Sequence, residues 1–90
     1  MIKSDTIIAL ATPPGVGAIS VIRISGKDAF KISNKLFFKK NKKKLLSFES
    51  HTVHLGVIRC GEKEIDEVLL TVFKTPHSYT GENVVEISCH

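Results

Sequence analysis

Ninety residues, 42% of them hydrophobic and 24% charged, with five Phe, one Tyr and no Trp, fit one ordinary soluble domain and exclude two independent cores, a disulfide scaffold and a disordered chain. The net charge of +4 is local, because Lys39, Lys40, Lys42, Lys43 and Lys44 supply five positive charges and leave the remainder one charge negative. Such a run reads as a solvated loop before it reads as a phosphate-contacting patch. No apolar stretch approaches the roughly 18 residues of a membrane span, and the first residues lack a signal-peptide core, so a cytoplasmic location is expected.

In chain order, residues 6–11 form a short apolar run and read as a buried strand, closed by a turn at Thr12, Pro13, Pro14 and Gly15. Residues 18–24 are β-branched on both faces, the pattern of an interior strand covered on both sides, with Arg23 as its odd member. Ser25-Gly26-Lys27-Asp28 has the form of a capping box and predicts a helix over 27–38, with Ala29, Phe30, Ile32, Leu36 and Phe37 on its apolar face. Residues 45–50 read as a loop or an edge segment. Residues 51–60 and 65–74 read as hairpin partners across a polar turn at 61–64, and 75–83 as a long loop broken by Pro76 and Gly81.

Residues 84–90 alternate, with Val85, Ile87 and Cys89 on one face and Glu86, Ser88 and His90 on the other. The element order predicts an α+β fold: a mixed or antiparallel sheet of about five strands with one helix. One helix is too little to cover both faces of such a sheet, and the sequence stops inside its last strand, so the domain reads as truncated or reliant on a partner.

Few residues carry chemistry by pattern. Pro14-Gly15-Val16-Gly17 has neither a P-loop nor a dinucleotide-binding spacing, so no nucleotide-triphosphate site is encoded. His51 and His54 stand three apart on a strand and face opposite ways, which argues against metal; Cys60 and Cys89, 29 positions apart, read as reduced, buried thiols. No catalytic residue and no metal ligand is assigned. Arg23 and Glu86 violate their apolar strands, and a charge buried alone there would cost several kcal/mol. They are an ion pair between neighbouring strands, side chains reaching the sheet rim into water, or a ligand site.

Two blocks carry a family resemblance. Residues 5–26, which include Asp5-Thr6-Ile7-Ile8-Ala9, Ala11-Thr12-Pro13-Pro14-Gly15-Val16-Gly17 and Arg23-Ile24-Ser25-Gly26, resemble the opening of the tRNA-modification GTPase family MnmE (TrmE); Pro76-His77-Ser78-Tyr79-Thr80-Gly81-Glu82-Asn83 and Val84-Val85-Glu86-Ile87 through His90 resemble its second block. Asn83 stands where the family usually has Asp, and Ala18 where Gly is common.

The resemblance implies that residues 1–90 are an amino-terminal folate-binding and homodimerisation domain, incomplete at its C-terminal end and related in fold to the tetrahydrofolate-binding domain of aminomethyltransferases. It implies bound 5-formyl- or 5,10-methylene-tetrahydrofolate contacted by Arg23 and Glu86. The GTPase domain, with its GTP, Mg and K, and the helical domain are absent, so this stretch is expected not to be catalytic alone. In the whole enzyme an FAD-dependent partner, MnmG, and tRNA are implied, and the reaction is modification of the wobble uridine. Alternatives are a free-standing folate-dependent aminomethyltransferase-like protein, a basic RNA-binding module and a purely structural dimerisation domain.

Overall fold

A computed structural model describes residues 5–11, 19–39, 48–75 and 82–89. These residues form six strands and one helix: β1 (Ile7–Leu10), β2 (Ser20–Ser25), α1 (Ala29–Leu36), β3 (Phe37–Phe38), β4 (Thr52–Cys60), β5 (Lys63–Phe73) and β6 (Val84–Cys89). They make one sheet in the order β1-β2-β6-β5-β4-β3, every neighbouring pair antiparallel. The α+β expectation holds, in its antiparallel form. The chain leaves β2, crosses one face of the sheet as α1, enters β3 at the far edge, and returns through β4 and β5 until β6 closes against β2. That path puts α1 on one face; among the described residues no element packs as a layer on the other, although Val84 on that face is fully buried.

Register sorts the side chains between the faces, because residues directly opposite one another in an antiparallel sheet share a face. Ile24, Val85, Val72 and Thr52 form one row on the helix side, and Ile22, Ile87, Leu70 and His54 the next. With Ala29 and Phe30 of α1, Phe37, Phe48 and Val68, the apolar members of these rows make the core, in which Leu70 and Val72 are fully buried. Each such side chain contributes about 1.5–3 kcal/mol by leaving water. Gly56 completes the packing, since a Cβ there would run into the Phe37 ring.

Several elements depart from their sequence expectations. The helix spans Ala29–Leu36, shorter than 27–38. Phe37 is already extended, and it pairs with Ile58 while Phe38 pairs with Val57, so strand pairing with β4 overrides the helical period. Phe30 and Phe37 are buried as expected, whereas Ile32 and Leu36 are exposed. The capping box does not form, because Ser25 is the last residue of β2 and Asp28 makes no side-chain cap. Instead the Asp28 backbone N–H donates to Thr6 Oγ1 at 3.1 Å. Gly26, at φ +142°, is needed between them: a Cβ would sit 2.5 Å from Thr6 Cα.

β1 is not a buried strand but an exposed edge, and β2 is covered on one side only, with Ile24 as its buried apolar residue. β4 starts at Thr52 because His51 adopts φ 63° in the preceding turn, and β5 begins at Lys63, earlier than expected. Cys60 is exposed at the end of β4 and Cys89 half-buried, so neither is the fully buried thiol the sequence suggested. The turn at residues 12–17, Lys40 to Lys44, the body of the loop at 76–81, and His90 lie outside the described residues. Among the described residues no helix is long and apolar enough to cross a membrane.

Candidate functional site on the open face of the sheet

The alternation that buries Ile24 and Val85 turns their neighbours the other way. Arg23 and Glu86 are register partners on β2 and β6, strands that both lie inside the sheet, and they meet on the face that α1 does not cover. Arg23 Nε and Nη2 both donate to Glu86 Oε2, at 2.8 and 2.5 Å. Their side chains are 38% and 20% exposed, so the pair stands at the surface, half in water. The two odd charges of the sequence are thus brought together, as a neighbouring-strand ion pair.

The surroundings are polar in the middle and apolar at the sides. Ala9 lies opposite Arg23 on β1, and Thr71 opposite Glu86 on β5. One row further along, Val21, Ser88 and Leu69 are aligned. Ser25 Oγ approaches Glu82 Oε2 at 3.4 Å, a long contact. On β4, Val53 and Leu55 share this face and are exposed. An acceptor carboxylate, a donor guanidinium and the hydroxyls of Thr71 and Ser88 therefore lie on a pleated surface with apolar shoulders. Such a surface can receive a flat heterocycle that has both donors and acceptors along one edge.

Thr71 and Ser88 were not singled out by the sequence reading. The signal was present in the period of two: Leu69, Thr71 and Phe73 alternate with Leu70 and Val72, and Thr71 is the polar member of the outward set.

The loop that carries the second sequence block is clipped at its base. The Thr75 N–H donates to Asn83 Oδ1 at 3.1 Å, and the Gly26 N–H donates to the Asn83 carbonyl at 3.0 Å. The acceptor at Oδ1 is one that an Asp carboxylate supplies equally, so the Asn83 departure from the family pattern retains this contact. His51 and His54 part, though not by strand alternation, since His51 lies in the turn before β4: His51 and Phe73 meet edge to face, and His54 stacks on Phe48 on the helix side.

Comparison with known proteins identifies the lineage. The family described as "GTP-binding protein TrmE N-terminus" matches residues 6–90. The chain is 58% identical over 87 residues to a tRNA modification GTPase MnmE of Christiangramia forsetii, covering 97% of this chain and 18% of that protein. It is 56% identical to the MnmE of Flavobacterium psychrophilum over 100% of this chain and 20% of that protein, and 49% identical to that of Chlamydia caviae over 100% and 19%. The chain thus spans about a fifth of the length of these curated relatives. With two motif blocks in order, a family match over nearly every residue and relatives this similar along their whole overlap, the chain belongs to the family of TrmE amino-terminal domains.

Proposed function

We propose that this chain is the one-carbon-folate-binding and self-associating part of a cytoplasmic tRNA-modifying GTPase, which works with an FAD-dependent MnmG partner on the wobble uridine. The observation that carries the reading is the Arg23–Glu86 pair: two charges in inner strands, on the face opposite α1, at the positions where the family resemblance expects folate contacts. The donor set fits a reduced pterin. The Glu86 carboxylate can accept two adjacent ring N–H groups, and the Arg23 guanidinium can donate to a ring carbonyl or to a carboxylate of the glutamyl tail. When bound, the folate supplies the one-carbon unit; the chain's part is to hold and orient it. Binding must open the ion pair, and the ligand's own donors and acceptors then replace what each partner loses.

Arg23→Ala and Glu86→Ala should each raise the dissociation constant for 5-formyl-tetrahydrofolate by roughly ten- to a hundredfold, the loss expected for one charge-assisted hydrogen bond. Calorimetric titration of the folded variants measures this. Unchanged affinity in both would remove the site.

Self-association rests on a second observation. Val53, Leu55, Leu69 and Phe38 are exposed together on the open face, more apolar surface than a solitary sheet gains from showing to water. Sedimentation at tens of micromolar should show dimers, and a strictly monomeric profile rejects this part of the reading. The RNA-binding alternative is weaker: its one described lysine, Lys39, is occupied with His54. The GTPase chemistry belongs to the remaining length of the relatives, so this stretch alone is proposed not to hydrolyse GTP.

A further inference from the structure

His54 sits on the helix side of β4, opposite Leu70, in contacts that the folate reading leaves unused. Its ring stacks on the buried Phe48 with centroids 3.7 Å apart and planes 17° from parallel. Lys39 Nζ lies 2.9 Å from His54 Nδ1 and also over the Phe48 ring, 5.2 Å from its centroid. Thr52 Oγ1 lies 2.7 Å from His54 Nε2 and donates to the Glu49 carbonyl at 2.6 Å.

These distances admit one proton arrangement. An ammonium can only donate, so Nδ1 must accept and the proton must sit on Nε2. Nε2–H then donates to Thr52 Oγ1, whose own hydrogen is free for the Glu49 carbonyl. The contacts run in one direction, Lys39 to His54 to Thr52 to Glu49; the Lys39 link requires a neutral imidazole, whereas the neutral and the protonated ring both donate Nε2–H to Thr52. A second proton on the ring removes the Nδ1 lone pair and leaves two cations 2.9 Å apart.

We propose that His54 is a pH-released pin for Lys39: when neutral, its Nδ1 fastens Lys39, just after β3, to β4, and when protonated it lets Lys39 go while its Nε2–H stays on Thr52 Oγ1. Desolvation first, and the Lys39 charge second, hold its pKa below the ordinary 6.5. The other charged groups on the packed elements do not offset this. Lys31 and Lys35 of α1 are exposed cations, and the Glu49 side chain is exposed on the turn. His51 turns to Ser50 Oγ at 2.9 Å, and Asp66 of β5 lies opposite Ile58, two rows from Leu70 along the strand. The sign follows: with a folded pKa below the unfolded one, the latch's contribution is complete above pH 6.5 and is lost as the pH falls through the folded value.

Nitrogen-resolved NMR titration of the 90-residue chain tests this without any variant. The expected result is an Nε2–H tautomer, a midpoint below 6.5, and a change in the Lys39 Nζ resonance that follows that same midpoint. Lys39→Met should move the midpoint upward towards 6.5. A midpoint at or above 6.5, an Nδ1–H tautomer, or a Lys39 Nζ resonance that is indifferent to the titration would each overturn the proposal.

Discussion

The two faces of this sheet are cut from the same strands and behave as different materials. On β5, Leu70 and Val72 are fully buried while Leu69, between Leu70 and Val68, is 46% exposed. On β6, Val85 and Ile87 enter the core while Glu86 and Ser88 look outward. The difference lies in connectivity, not in composition: a single crossover helix covers one face, and the period of two assigns each residue to a side. The buried core is concentrated beneath α1, and the Arg23–Glu86 pair stands on the side opposite.

The largest expected effect tests that division directly. Leu70→Ala should cost about 2–5 kcal/mol of stability, as a cavity-forming core truncation does. Leu69→Ala, at an exposed position on the same strand, should cost under about 0.5 kcal/mol. Urea unfolding of the pair measures both, and equal losses would mean that a second layer covers the open face in solution. Next comes the site itself. Because Arg23 and Glu86 stand partly in water, either alanine variant should change stability by only about 0–1 kcal/mol, even where folate affinity drops. Thermal melts beside the binding titrations check this, and a severe destabilisation would make the pair a structural bridge.

The smallest effect belongs to the covered side. Ser33 Oγ is buried in α1 with no hydrogen-bond partner among the described residues. Ser33→Ala should therefore be neutral, or stabilising by up to about 1 kcal/mol, in the same unfolding assay. A clear loss would reveal an acceptor facing α1.

Much of this arrangement could be read from the sequence, and the failures have physical causes. The outward direction of Glu86 and Ser88 and the inward direction of Val85, Ile87 and Cys89 followed from alternation, because register pins a face wherever one side is buried. The pairing of Arg23 with Glu86 was open in the sequence as one alternative, an ion pair between neighbouring strands, and could not be decided there because no local rule makes β6 the neighbour of β2. β1 was misjudged because an apolar run looks the same at an edge as in a core. The capping pattern at Ser25 misled because the tertiary partner, Thr6, took the Asp28 N–H first. The contact of Lys39 with His54 joins residues 15 apart across a stretch whose sequence looked like plain solvated lysine.

Arg23 and Glu86 are separated by 63 positions, and the strands that carry them are the last pair the topology can close. During synthesis, β1, β2, α1 and the β4–β5 hairpin can all begin to organise before Glu86 exists outside the ribosome. The open-face ion pair then forms only when the returning meander docks on β2, a long-range closure of the kind that slows folding. The proposed ligand surface is thus a completion mark. Damage to β2 or β6 breaks this pair before it disturbs most of the local structure, so binding of a small heterocycle at the proposed surface would report that β6 has docked on β2.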